Sequence, residues 1–228
     1  VLEEWVRKQN TAPRPEKTEA KQIGVSVKAA SINIQYGDYE LSGMCIGGDY
    51  IYIVSQSGSY GNRQWRIEKR SKYNGELIKT WTKNAQNNSL GDCVVVKDKL
   101  YIGGNRVFDL DLNLLKEVKE LGSFPYITSD GRYLYIAGEN ILEKRRLDNL
   151  FLVAEGRFPH DSAALNISIN PVTGHLWVVP HMFEAITPPY PPQFIHELYI
   201  FDRDLKILME LKPDIAGRLD FVFDEKGN

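Results

Sequence analysis

Residues 127–137 read ITSDGRYLYIA, in which two short apolar runs flank a Ser-Asp-Gly-Arg turn. Short apolar runs on both sides of a turn that contains glycine predict a tight β-hairpin. The second strand of this hairpin recurs as YIYIV at 50–54, as LYIG at 100–103 and as HLWVV at 175–179. A unit of four short strands that returns every roughly 35 to 50 residues predicts a β-propeller.

The repeat divides the chain into four complete units and the start of another. They fall at about residues 41–83, 91–121, 124–158 and 163–212, with a partial fifth unit at 217–228. We therefore expect an all-β propeller of four-stranded antiparallel blades over residues 23–228. Residues 1–22, rich in charge and proline, are expected to form an N-terminal strand or arm with a charged linker. Either the N-terminal strand completes the fifth blade and closes the ring, or the chain is a piece of a longer propeller.

The composition excludes some classes of protein. Lys and Arg number 28 against 30 Asp and Glu, and because nucleic-acid binders usually carry a basic excess, no nucleic-acid partner is expected. No apolar run approaches the ~20 residues of a membrane span, so a soluble chain is expected. The compartment stays open, since a leader removed before Val1 would make the protein secreted or surface-exposed. Cys45 and Cys93 are expected to be free thiols.

The hairpin at 127–137 resembles the repeat of YVTN-type and NHL-like propellers. Those families include ligand-binding scaffolds, surface proteins and metal-dependent lactonases. The resemblance therefore implies a propeller fold, with either a binding or a hydrolytic role. No catalytic motif of these families is matched residue by residue.

The loops of a propeller blade differ in length between its two faces. Links between blades and loops between second and third strands share one face, and the two tight hairpins of each blade lie on the other. The longer loops here fall on the first face, which we call the loop face, and function in rigid scaffolds concentrates in such loops. The predicted partner-binding residues are Tyr60, Asn62, Arg63, Trp65, Asn87, His160, Phe183, Tyr190 and Phe194.

The most unusual segment on this face is a connection at residues 180–197, which contains TPPYPPQF at 187–194. Consecutive prolines favour a stiff polyproline II segment. The segment would form a partner-binding ridge, a lid over the channel, or an insertion packed against its own blade.

The first strand of each unit is expected to line the central channel. Aligned by their apolar residues, these strands place Cys45, Cys93, Tyr126, Asn166 and Asp220 at one level, with Asp92 one residue earlier. Lactonase-like propellers hold a divalent cation in the channel, and the resemblance implies calcium or another divalent cation on Asn166, Asp220 and Asp92. The other expectation is a channel lined by polar side chains and water.

Two basic clusters lie on third strands, at Lys69-Arg70 and at Lys144-Arg145-Arg146. Strand alternation sends successive side chains to opposite sides of the sheet, so they are not expected to converge on one ligand. Screened surface charge is the predicted role.

These patterns predict a non-enzymatic scaffold without a cofactor, which binds a protein or glycan partner through the loop face. The alternative is a metal-dependent hydrolase, similar to the lactonases, with a cation in the channel.

Overall fold

The computed structural model describes residues 39–58, 62–85, 90–103, 105–118, 126–138, 141–158, 163–184 and 193–211. They form seventeen strands in four antiparallel sheets. The first sheet contains β1 (Glu40–Gly47), β2 (Tyr50–Ser57), β3 (Arg63–Ser71) and β4 (Leu77–Ala85). The second contains β5 (Cys93–Val96), β6 (Lys99–Ile102), β7 (Arg106–Asp109) and β8 (Leu114–Glu117).

The third and fourth sheets follow the same pattern. The third contains β9 (Tyr126–Ser129), β10 (Tyr133–Ala137), β11 (Ile141–Arg146) and β12 (Leu152–Arg157). The fourth contains β13 (Ala163–Ile169), β14 (Leu176–Glu184), β16 (Leu198–Phe201) and β17 (Ile207–Leu211), with β15 (Gln193–His196) paired to β14.

The sheets are the blades of a propeller. Within each, chain order equals spatial order, and the first strands contact one another in sequence: β1 with β5, β5 with β9 and β9 with β13. The predicted all-β propeller fold is confirmed as a four-bladed arrangement. The arm at 1–22 and the partial fifth unit at 217–228 lie outside the described residues. No helix in the described part of the chain is long and apolar enough to cross a membrane.

The core lies between neighbouring blades. Tyr52, Val54 and Trp65 of the first blade pack against Leu100 and Phe108 of the second. Similar clusters join the second blade to the third and the third to the fourth. Full burial of one such large side chain stabilises the fold by about 1.5–3 kcal/mol, so the apolar second and third strands hold the blades together.

Tyrosine hydroxyls fix the rotation of each blade relative to the next. The Tyr52 hydroxyl donates to the backbone oxygen of Leu110 at 2.9 Å, and the Tyr101 hydroxyl donates to that of Leu147 at 3.0 Å. Both acceptors lie at the turn between the third and fourth strands of the following blade. Tyr52 and Tyr101 therefore occupy equivalent positions in the first two blades.

The prediction that the basic clusters are screened surface charge is wrong for Lys69 and Lys144, which are buried. The Lys69 ammonium lies 2.6 Å from Oδ1 of Asp111 in the second blade. That of Lys144 donates to the backbone oxygen of Arg203 in the fourth blade at 2.7 Å. The two lysines join neighbouring blades because their long side chains reach the next turn.

The arginines that follow these lysines do not share their ligands. Arg70 pairs with Glu68 at 2.6 Å, and Arg145 pairs with Glu143 at 2.7 Å. The expectation that the basic residues do not converge on one ligand is thus met in both blades.

The connection at 180–197 is more ordered than a loop. β14 pairs with β16 from Leu176 to Val178, and from His181 to Glu184 it pairs with β15. The paired strands thus extend the fourth blade on the loop face, and residues 185–192, which connect them in sequence, lie outside the described residues. The sequence analysis missed these strands because the prolines at 188–192 suggested a connection without regular structure.

Candidate functional site

The strand pairing defines which residues of the inner strands share a level. Gly43 lies four positions before Gly47, the last residue of β1. Asp92 lies four positions before Val96, the last residue of β5. Gly43 lies opposite Val54, two positions after Tyr52, and Asp92 lies opposite Gly103, two positions after the equivalent Tyr101. Opposite the corresponding residues of the third and fourth blades, Ala137 and Val179, lie Tyr126 and Asn166.

The channel level expected from the sequence is therefore wrong in the first two blades. Cys45 pairs with Tyr52, two positions further along β1 than Gly43, and Cys93 pairs with Ile102, one position beyond Asp92. At the level of Tyr126 and Asn166, the first two blades therefore have Gly43 and Asp92, and not the two cysteines. Both cysteines are free, as predicted, and burial, with a hydrogen bond to Cys45, raises the pKa of the Cys93 thiol.

Asp92 is held by three inner strands at once. Its Oδ1 accepts a hydrogen bond from the backbone N–H of Cys93 at 2.7 Å, and the backbone N–H of Ile127 in the third blade also donates to its carboxylate. Gly43 of the first blade packs directly against it. Burial raises the pKa of Asp92 to about 6, against the opposing effect of the two N–H donors. The carboxyl group therefore changes protonation close to neutral pH.

A pocket of about 210 Å³, which we call the channel mouth, opens beside Asp92 on the loop face. Its lining combines the start of β1, the end of β2 and the residues that precede β5 and begin β9: Glu40, Leu41, Ser42, Gln56, Gly91, Asp92 and Tyr126. The register of β1 shifts between Leu41 and Gly43, which makes Ser42 a β-bulge. Bulges are frequent beside functional sites because they redirect side chains.

Gln56 carries an unsatisfied acceptor in this pocket. The residue is 7% exposed, and its buried Oε1 finds no hydrogen-bond donor among the described residues. An unpaired buried acceptor costs about 1–3 kcal/mol, so such a group needs an explanation. The channel mouth offers acceptors, from Gln56, Asp92 and the exposed Glu40, to a ligand that supplies donors.

The loop-face residues predicted from the sequence lie in different environments. Asn62 is exposed and Arg63 is half-buried. Both lie where β3 begins, on the loop face. Trp65 is 3% exposed in the core between the first two blades, with the Arg106 guanidinium 4.1 Å from its ring centroid. It therefore has no surface to present to a partner.

The hairpin of the fourth blade brings two predicted residues together. Phe183 on β14 lies directly opposite Phe194 on β15 in the register. Tyr60, Asn87, His160, Tyr190 and the metal candidate Asp220 lie outside the described residues.

The candidate metal ligands are only partly assembled. Asp92 and Asn166 share the channel level, but Asn166 does not line the channel mouth. Across the described ranges no group of three or more His, Cys, Asp or Glu side chains could hold a metal ion.

Sequence reasoning missed Gln56, Glu40 and Gly43. The signal that was available is the polar pair Ser55-Gln56, which interrupts an apolar second strand immediately before its loop. Glu40 and Gly43 carry no comparable signal, because their importance follows from the close approach of β1 to β5.

Comparisons with known proteins add little about function. No family model matches the chain, and no curated protein matches it. Among solved structures, the chain is similar to the crystal structure of the computationally designed Ika4 protein, with 10% sequence identity and a TM-score of 0.46. The match covers 72% of this chain and 96% of the designed one.

Proposed function

We propose that this propeller is a non-enzymatic scaffold that binds a glycan through the loop face, with the channel mouth taking sugar hydroxyls. The observation that carries this proposal is the buried Oε1 of Gln56, an acceptor that finds no donor among the described residues. A sugar hydroxyl that donates to Gln56 Oε1 would satisfy this acceptor, and a neighbouring hydroxyl could add a further hydrogen bond to the Asp92 carboxylate. Tyr126 adds a half-buried aromatic ring to the same wall, which suits the less polar face of a sugar.

The size of the channel mouth favours recognition of part of a larger ligand. Pockets that enclose a whole small molecule usually measure about 300–1,000 Å³. At about 210 Å³ the channel mouth admits one unit of a longer chain. The rest of a glycan would extend over the loop face, where Tyr60, Asn62, Arg63, Asn87, His160, Phe183, Tyr190 and Phe194 are the proposed contacts.

A protein partner is the other class of ligand that the scaffold hypothesis allows. It would bring amide or ammonium donors to the channel mouth and apolar contacts to the hairpin of β14 and β15. The polar lining of the channel mouth favours the glycan, because its acceptors match a ligand with many hydroxyl donors.

The second candidate is a cation-dependent hydrolase, which the common level of Asp92 and Asn166 favours. Calcium prefers such oxygen ligands, and a bound divalent cation would polarise a carbonyl group. Asp92 would bind the cation through its deprotonated carboxylate, in competition with the proton, and Asn166 would offer its amide oxygen. Asp220 would be the further ligand from outside the described residues.

Elemental analysis of the full chain separates the two candidates. The scaffold proposal predicts no stoichiometric divalent cation after dialysis and no hydrolysis of a model lactone or ester. One cation per chain that EDTA removes, together with ester hydrolysis that EDTA abolishes and calcium restores, would establish the hydrolase.

A further inference from the structure

A second cleft lies between the second and third blades, on the face opposite the channel mouth. β5 runs between the two sites, with Asp92 before its first residue and Lys97 after its last. The cleft measures about 430 Å³. Its lining includes Lys97, Lys99, Arg132, Tyr133, Arg146 and Asp148.

The charge of this cleft is strongly one-sided. Lys97, Lys99, Arg132 and Arg146 place four cations around it, and Asp148 is the one acidic residue of its described lining. No ion pair joins any of the four cations to an acidic group within the described residues. Elsewhere the half-buried Lys72 pairs with Asp49 at 3.3 Å and the exposed Arg157 with Glu155 at 3.2 Å, whereas exposed Lys79 and Lys206 also have no ion pair within the described residues. What distinguishes the cleft is therefore that four such cations converge on it.

The turn that carries Lys97 is unfavourable for its sequence. Lys97 and Asp98 have φ of 48° and 60°, the positive values that a two-residue hairpin turn needs. The corresponding hairpins of the other blades place glycine at positive φ, at Gly48, Gly131 and Gly174. A lysine in this backbone conformation is strained, as are Leu112, Leu150 and Leu205, which have φ of 59°, 62° and 63° at the turns between third and fourth strands. Those leucines are buried, so packing of their side chains offsets the strain, whereas Lys97 is exposed and a ligand of its ammonium group would do so instead.

The third blade supplies arginines on the opposite wall. Arg146 and Tyr133 are paired in the register of β10 and β11, and the Arg132 guanidinium lies 5.2 Å from the Tyr133 ring centroid. Contact with a ring limits the motion of a guanidinium group, which then presents its planar fork of donors in a fixed direction. The Tyr101 hydroxyl is already committed to Leu147, so the cleft offers cationic donors to its ligand.

We propose that this cleft binds an oxyanion with at least two negative charges, of the phosphate or sulfate ester class. Arginine forks bind such groups with paired hydrogen bonds, and lysine adds a point charge. Two sources share this chemistry: a phosphorylated small molecule and a sulfated sugar. The site is independent of the channel mouth, so failure of either proposal leaves the other intact.

The test is calorimetric titration of the full chain at low ionic strength, with inorganic pyrophosphate in one arm and a disulfated disaccharide in the other. We expect saturable binding at one site per chain, with preference for one probe identifying the source. Affinity should fall with added salt, because the cations are exposed. Arg146→Gln should weaken binding about tenfold, the effect of losing one charged hydrogen bond.

Lys97→Asn separates a binding role from a structural one. Asparagine tolerates positive φ better than lysine, so this variant should unfold at a higher temperature and yet bind about tenfold more weakly. Lys206→Ala, which removes an exposed lysine of the fourth blade outside the cleft, is the control and should bind as the original chain does. No saturable binding of either probe, or equal weakening by Lys206→Ala, would overturn the proposal.

Discussion

Asp92 lies so close to Gly43 that a Cβ at position 43 would be 2.7 Å from the Cα of Asp92. It would also be 3.2 Å from the backbone nitrogen of Cys93, which donates a hydrogen bond to the Asp92 carboxylate. Both neighbours are backbone atoms, which move only with the strand. The missing side chain at position 43 is thus what allows the first two inner strands to approach and to enclose Asp92.

Gly43→Ala should lower the free energy of unfolding by about 1–3 kcal/mol, because the added methyl group overpacks this contact. Urea denaturation followed by circular dichroism measures the change. Gly138→Ala is the matched control, since a Cβ there would meet nothing closer than 4.0 Å, the backbone oxygen of Ile141. A similar loss in both variants would show that close packing against Asp92 is not the cause.

Asp92→Asn should remove a pH dependence of stability. Folding raises the pKa of Asp92 from 3.8 to about 6, so the folded chain holds this proton more tightly than the unfolded chain. The contribution of this tighter proton binding to the free energy of unfolding is fully present below pH 3.8 and is lost as the pH rises through about 6. At pH 7.5 the variant should therefore be more stable than the original chain, by at most about 3 kcal/mol.

Urea denaturation at pH 5 and at pH 7.5 measures this difference. The Asp92 carboxyl should also titrate near pH 6 in carbon-detected NMR. A midpoint near 4, the value of an exposed aspartate, would show that the channel mouth does not bury it.

Gln56→Met should stabilise the fold by about 1 kcal/mol. Methionine has a similar length and removes the acceptor that stays unsatisfied on burial. Thermal and urea denaturation give the change, and Gln64→Met, at a half-buried glutamine of β3, is a control expected to have no such gain. A loss of more than about 1 kcal/mol in Gln56→Met would mean that the amide already has a structural partner.

Removing Asp111 and removing Lys69 should change the free energy of unfolding by unequal amounts. Asp111→Ala leaves the Lys69 ammonium, whose side chain is 6% exposed, without its counter-charge, which should lower the free energy of unfolding by about 1–2 kcal/mol. Lys69→Met leaves only a solvated carboxylate, 74% exposed, so the change should stay within about 0.5 kcal/mol. Denaturation of both variants in the same buffer measures the asymmetry. Equal losses would contradict the proposed cause.

The fold could be predicted from the sequence because each blade repeats two tight hairpins between apolar strands. The turn residues and the alternation around Ile127–Ala137 are local features, and they define a blade without knowledge of its neighbours. The environments of Trp65 and Lys69 could not be predicted in the same way. Alternation shows that they lie on the same side of β3, but only the packing of blades shows that this side is buried.

The candidate site was predicted less well. Matching the apolar residues of the inner strands placed at the channel level Cys45, which lies two positions beyond Gly43, and Cys93, which lies one position beyond Asp92. The roles of Gly43 and Gln56 depend on close contacts between strands of different blades. Asp92 and Asn166 were singled out because the resemblance to lactonase-like propellers implies Asp and Asn oxygens on the inner strands as ligands of a channel cation.

Binding to a glycan array, measured for the full chain and for Gln56→Met, tests the proposed function most directly. We predict saturable binding of at least one neutral glycan, weakened about tenfold or more in Gln56→Met and unchanged in Lys206→Ala. The stability measurement shows separately that Gln56→Met is folded, so lost binding would reflect the lost acceptor. Absence of binding to any glycan, or equal binding by Gln56→Met, would contradict the account.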